Sequence, residues 1–192
     1  MRWNENGGYT GTIDIRTTTV NKMDGMIDVR KIHKFEECPE KALISKDLKS
    51  VDYCGSYMIT KNTDDSIDKI TTILFNSPSW GDKLMHMRDF FVGRFGLKTG
   101  KGENPNIADY YPIGSKANIF TVIDRNENEI VMAEDDKHLY FRTAVMKKET
   151  DQGTEIYLST IVKFHNIWGK IYFLPVKPFH QMLMKSLLRS YK

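Results

Sequence analysis

Six side chains in this sequence have the chemistry to move a proton or hold an anion: Arg88, His138, Arg142, His165, Asn166 and His180. Imidazole titrates near neutral pH, and guanidinium presents a rigid fork of donors. A set of this kind could act as general acid, general base or anion clamp. His165 and His180 flank a strand-to-helix corner, which can bring two imidazoles together. Each residue also has a plainer reading. Arg142 beside Asp68 or Asp89 would be a structural ion pair, Arg88 sits at the edge of an apolar stripe, and a single histidine is more often scaffold than catalyst. Glu134-Asp135-Asp136 with His138 has the residue types for a divalent cation, but the run falls where a tight turn belongs, and acidic turns are common. No metal or cofactor is assigned. Nucleophilic catalysis finds no support: there is no G-x-S-x-G, and neither Cys38 nor Cys54 has a sequence-near histidine. Gly96-x-x-x-Gly100-Lys101 brushes against a phosphate-binding loop, but its spacing is one short and Gly102 stands where the magnesium-binding Ser/Thr would be. Enzymatic activity is therefore left open, leaning against.

A second set is apolar. Trp80, Met87, Phe91, Phe141, Thr160, Tyr172, Phe179 and Met182 would line a concave space between a sheet and a helix, where small molecules bind. The alternative is that they fill the core. The candidate ligand site drawn from both sets is Trp80, Met87, Arg88, Phe91, His138, Phe141, Arg142, Thr160, His165, Tyr172, Phe179 and His180.

The element that must position these residues is the stretch from Asn166 to the end. Placed on a helix, Trp168, Ile171, Tyr172, Pro175, Val176, Phe179, Met182 and Leu183 share roughly a third of the circumference. The expected helix has about 24 residues and is on the order of 36 Å long. Pro175 and Pro178 each remove a donor, so one kinked helix is preferred over two. Upstream, Tyr53 to Thr60 reads as the first strand of the sheet, with Tyr53, Gly55 and Tyr57 on one face. Asp64 or Asp65 can cap a short helix with Ile67, Ile70 and Leu74 on one side. After Asn76-Ser77-Pro78, Ser79-x-x-Asp82 opens a second helix that ends at Gly96. A loop, 97–109, follows. Four strand-like runs come next, near Ile113–Asp124, Glu129–Glu134, His138–Lys148 and Thr154–His165. Their short turns, Asn126-Glu127-Asn128, Asp135-Asp136-Lys137 and Asp151-Gln152-Gly153, force antiparallel neighbours. Leu139, Phe141, Thr143 and Val145 fall on one face, and His138, Tyr140, Arg142 and Ala144 on the other.

The bulk numbers suit one globular domain. The chain has 192 residues and a net charge of +3, from 28 Lys+Arg against 25 Asp+Glu. That charge does not demand nucleic acid, and the aromatics of the last helix point away from its lysines. Residues 1–25 form an extension that reads equally as a hairpin through Asp24-Gly25, a disordered tail, or residues ahead of a natural start at Met23 or Met26. Residues 26–192 form the domain. With two cysteines in no metal-like spacing, no apolar leader and no run near the ~18 residues of a membrane span, a reduced, cytoplasmic setting is expected. After Glu155 there is no acidic residue, while Lys163, Lys170, Lys177, Lys185, Arg189 and Lys192 follow. Lysines favour a helix C-terminus and solvate its polar face, so membrane association is not expected. Oligomeric state stays open.

Several motifs together resemble a known family. Pro78-x-Trp80 with Leu84 and Arg88, Phe95-Gly96-Leu97, His138-Leu139-x-Phe141-Arg142, Ser159-Thr160-x-Val162, His165-Asn166-x-x-Gly169 and Pro178-Phe179-His180 look like the bacterial domain of unknown function 2867, over roughly Pro39 to Arg189. The resemblance implies an α+β helix-grip fold of the START-like (SRPBCC, Bet v 1) type, in which a curved antiparallel sheet grips a long C-terminal helix around a cavity. Relatives sometimes carry this domain behind a nucleotide-binding reductase domain. This chain has no G-x-G-x-x-G, so no such partner is expected. The expected function is binding of a hydrophobic small molecule. A polyketide cyclase- or hydrolase-like enzyme in the same cavity, and a protein- or membrane-surface module, are the alternatives.

Overall fold

The computed structural model describes residues 32–35, 42–48, 50–75, 110–117 and 120–191. The expected helix after Ser79, the loop 97–109 and the extension 1–25 lie outside the described residues, as do Trp80, Met87, Arg88 and Phe91.

The described residues form a seven-stranded antiparallel sheet with two helices against its inner face. In chain order the elements are β1 (His33–Phe35), a 3-10 turn (Leu43–Ser45), β2 (Tyr53–Lys61), α1 (Ile67–Phe75), β3 (Lys116–Ala117), β4 (Phe120–Arg125), β5 (Glu129–Asp135), β6 (Leu139–Thr150), β7 (Gly153–Phe164) and α2 (Ile167–Ser190). Strand order is β1-β2-β7-β6-β5-β4-β3. The three anticipated turns close β4–β5, β5–β6 and β6–β7. Gly153 sits in the last of them at φ 120°, a region that excludes most side chains, and there a Cβ would press on the Lys61 carbonyl.

Three expectations are corrected. The run Ile113–Asp124 is two strands, paired as Lys116↔Thr121 and Ala117↔Phe120. Tyr53 does not open the sheet, because β1 pairs outside it through His33↔Met58. Ser66, not Asp64 or Asp65, caps α1: its Oγ accepts from Lys69 N at 3.2 Å. Asp65 instead takes Lys69 Nζ at 2.6 Å and the Tyr191 hydroxyl at 2.7 Å. Ile67, Ile70 and Leu74 are buried as read.

Strand alternation sorts the residues onto two faces. The inner face carries Tyr57, Ile59, Val122, Ile130, Met132, Val145, Ile156 and Leu158 against α1 and the second half of α2. The outer face is covered in part by the 3-10 turn, which buries Ala42 and Ile44 on Val131, Ala144 and Ile161. Buried Glu129 fastens that turn, accepting from Leu43 N at 2.8 Å and Ile44 N at 3.1 Å. Burial raises its carboxyl pKa against the pull of those two amides. A second fastening joins α1 to β4. Arg125 makes two bonds to Asp68, at 2.8 and 2.9 Å, and Asp68 also accepts from Tyr111 N at 2.8 Å.

The terminal helix is continuous over 24 residues with Pro175 and Pro178 inside it. Asn166 caps it, Oδ1 accepting from Gly169 N at 3.1 Å. Its rotation differs from the expected one. The inward stripe is Gly169, Phe173, Val176, His180, Met184, Leu187 and Leu188. Trp168, Ile171, Leu174, Phe179 and Met182 are exposed, at 46 to 68 %. Gly169 supplies the reason. A Cβ there would overlap the His138 carbonyl, so the first turn must lay its glycine on the β5–β6 corner. Residues at +4, +7, +11 and +15 then follow it inward.

Cys54 is disulfide-bonded, against the expectation of reduced cysteines. The other cysteine of the chain, Cys38, lies outside the described residues. Among the described residues no helix is long and apolar enough to cross a membrane.

Candidate functional site

The polar residues singled out in the sequence do not share one place. Arg142 lies on the outer face, where its Nη1 donates to the carbonyls of Ile44 at 3.2 Å and Lys46 at 2.6 Å, and its Nε to the Tyr140 hydroxyl at 2.8 Å. It is a strap for the 3-10 turn, and it pairs with neither Asp68 nor a ligand-facing group. His165 Nε2 meets Asp135 Oδ1 at the surface, 2.7 Å away. His138 Nδ1 lies 3.3 Å from the capping Asn166. The two histidines therefore serve the sheet end and the helix cap, and His165 and His180 do not meet. The acidic turn is occupied likewise: Asp135 faces His165, and Asp136 Oδ1 accepts from Lys137 N at 2.6 Å. Among the described residues no group of three metal-ligating side chains forms. Phe179 is turned outward, and Tyr172 is half-buried against Val162 and Phe173.

What does converge lies between β2, β7, β6 and α2. Thr160, fully buried, points inward from β7. Its Oγ1 lies 3.3 Å from His180 Nε2 and 3.7 Å from Met184 Sδ. The His180 ring stands edge-on to Phe141 at 5.8 Å between centroids and to Tyr53 at 6.4 Å. Phe141 in turn stacks on Phe120 at 5.6 Å. Directly across from Thr160 on β2 is Gly55. Tyr53 lies flat along its own strand over that glycine, its hydroxyl only 2.5 Å from where a Cβ would be. Tyr57, two residues on, points to the same face.

Among the described residues three buried polar atoms near this patch have no partner: the hydroxyls of Tyr53 and Tyr57, and His180 Nδ1. Several other buried hydroxyls are satisfied. Thr143 donates to the Ser159 carbonyl at 3.1 Å, Ser56 and Ser159 bond each other at 2.7 Å, and Thr71 donates to the Ile67 carbonyl at 2.8 Å. The other unpartnered buried atoms, His33 Nε2 and Ser115 Oγ, belong to residues nearer the sheet's edges. A buried polar group without a bond costs about 1–3 kcal/mol, so each of these groups is costly to leave unpaired.

The electrostatics are those of a neutral site. Burial pulls the His180 imidazole down to about 4. Burial first, then the nearby Tyr53 phenol, pushes Tyr57 up to about 12. At neutral pH both groups are uncharged and far from the range where proton transfer is efficient. They can hold an oxygen or nitrogen atom by hydrogen bonds; they are poorly placed to exchange protons with it. Of the residues singled out in the sequence, the structure brings Phe141, Thr160 and His180 together. Tyr53 and Tyr57 were legible as one face of a strand, but nothing in their spacing announced unpartnered hydroxyls.

The family model for DUF2867, a protein of unknown function, matches residues 48–187. The chain belongs to that family. The matched span contains β2, both helices up to Leu187 and every residue of the patch. No curated protein matches the chain. Membership thus fixes a relationship without assigning an activity.

Proposed function

We propose that this protein is a START-like helix-grip module that binds a largely apolar small molecule between the inner face of its sheet and α2. The observation that carries this reading is the set of three unpartnered buried atoms, Tyr53 Oη, Tyr57 Oη and His180 Nδ1, inside a wall of Phe120, Phe141, Phe173 and Met184. An apolar surface with a few converging polar groups is the usual make-up of a small-molecule site. The antiparallel sheet with a long terminal helix is compatible with the helix-grip arrangement, in which ligands lie in that place. The cyclase- or hydrolase-like alternative needs two or more of His138, Arg142 and His165 around one open space, and they are spread over two faces and a corner.

The test is binding of a solvatochromic apolar probe, such as a naphthyl ketone, to the full chain. Saturable one-to-one binding with a blue-shifted emission is expected, weakened by widening Met184 or Phe141 to tryptophan. Emission that rises linearly without saturating, together with native mass spectra free of any co-purified small molecule, would count against the reading.

A further inference from the structure

The rotation of α2 leaves an apolar ridge on the outside of the protein. Ile167, Trp168, Ile171, Leu174, Phe179 and Met182 recur along one side of the helix, and each is about half exposed or more. Pro175 and Pro178, also exposed, fill the steps between them. Contiguous apolar surface of this kind marks an interaction site. A pattern that ordinarily faces a core is here turned to solvent from Ile167 to Met182.

The charge beside this ridge narrows what covers it. The helix carries Lys170, Lys177, Lys185 and Arg189 and no carboxylate. Projected on the helix, Lys170 and Lys177 flank the ridge along one side, and Lys185 and Arg189 prolong it. Among the described residues none of the four enters an ion pair. Lys177 rests 5.2 Å over the Tyr53 ring. Two carboxylates stand by the start of the helix, and both are engaged: Asp135 with His165 at 2.7 Å, and Asp136 with the Lys137 amide at 2.6 Å. A second copy of the chain is a poor cover. A two-fold contact along the ridge would bring the four cations of each copy to one seam, with no carboxylate of α2 to meet them. An apolar ridge bordered by cations without ion-pair partners is instead the complement of an anionic lipid surface.

Independently of the binding role above, we infer that α2 is a membrane-surface anchor, whose ridge from Ile167 to Met182 lies flat on an anionic bilayer. The prolines set its depth. Pro175 and Pro178 leave the Ile171 and Leu174 carbonyls without helical donors. Such carbonyls must keep water, so the helix lies among the headgroups with its apolar side chains dipped below, and does not sink into hydrocarbon. Trp168 suits that zone, with an apolar ring and an indole N–H to donate. Lys170 and Lys177 lay their stems along the ridge and bring their ammonium groups to lipid phosphates.

The test uses the full chain with vesicles of phosphatidylcholine alone and of phosphatidylcholine mixed with phosphatidylserine, read by co-sedimentation. Expected is binding to the mixed vesicles about tenfold tighter or more than to the neutral ones, weakening as salt is raised. Leu174→Glu should weaken it about tenfold or more, and Lys170→Gln about fivefold. Both sites are exposed, so neither change disturbs the core. Lipid brominated near the top of its acyl chains should quench tryptophan emission more than lipid brominated near the chain ends, and Trp168→Phe should remove that quenching. No co-sedimentation with the mixed vesicles at low salt would overturn the inference. So would binding that Leu174→Glu leaves unchanged, since charge elsewhere on the chain would then carry it. Self-association that Leu174→Glu abolishes, with no vesicle binding, would overturn it in favour of a second copy on the ridge. Each of these outcomes leaves the interior binding role standing, because the ridge lies on the other side of the helix from His180.

Discussion

Tyr57→Phe should make the empty protein more stable, which is the reverse of what removing a buried hydroxyl ordinarily does. Tyr57 is fully buried, and its hydroxyl has no partner among the described residues. Phenylalanine keeps the ring and its packing on the inner face, so the transfer of apolar surface hardly changes. What changes is the oxygen: in the unfolded chain it bonds water, and in the folded chain none of the described residues bonds it. That desolvation is worth about 1–3 kcal/mol, and the variant is relieved of it. The expected gain is about 1–2 kcal/mol in urea unfolding at neutral pH, with an unchanged slope and a melting temperature higher by about 3–6 °C for a chain of this size. A variant less stable than wild type by about 1 kcal/mol or more without ligand would refute the reasoning, since the hydroxyl would then already be satisfied.

Three further outcomes follow from the same geometry. The folded pKa of His180, about 4, lies below its ordinary 6.5, so the unfolded state binds the extra proton between those values. Stability from this group is complete above about pH 6.5, falls as pH drops, and is lost below about pH 4; between about pH 7 and 5 the loss is about 2 kcal/mol. Urea curves for wild type and His180→Gln at both pH values should differ by that amount, and parallel pH profiles would exclude His180 as the acid-sensitive group. Gly169→Ala drives a methyl into the His138 carbonyl and should cost about 2–3 kcal/mol, read as a lower urea midpoint. Asp68→Ala strands the Arg125 guanidinium, whose side chain is 12 % exposed, and removes the acceptor of Tyr111 N; a loss of about 3 kcal/mol is expected in the same assay.

Much of the scaffold was written in local chemistry. Alternation set Phe141 and Arg142 on opposite faces, and the turn residues near 126, 136 and 152 placed the hairpins. The 24-residue terminal helix needed no tertiary information. The rotation of α2 did need it. Trp168, Ile171, Phe179 and Met182 make as good an apolar stripe as Phe173, Val176, Met184 and Leu187, so periodicity cannot choose between them. The choice falls to a backbone contact at Gly169, which carries no side chain to read. A three-residue edge strand is too short to show alternation, hence the missed β1. Tyr53 and Tyr57 read as strand formers, because whether a hydroxyl finds a partner depends on residues over a hundred positions away.

Both ends of the last helix are anchored. Asn166 and Gly169 bind its start to the β5–β6 corner, and Tyr191 at its end bonds Thr63 at 3.0 Å and Asp65 at 2.7 Å. Between these supports, Pro175 and Pro178 leave the Ile171 and Leu174 carbonyls without their helical donors, on the exposed side of the rod. In mechanical terms this is a beam clamped at both ends with its weakest section at mid-span, directly ahead of His180. Such a beam yields by bowing outward in the middle, not by swinging from one end. The gap that opens first is therefore the one that leads to the Tyr53–Tyr57–His180 patch, while the residues that fix the helix's rotation stay in place.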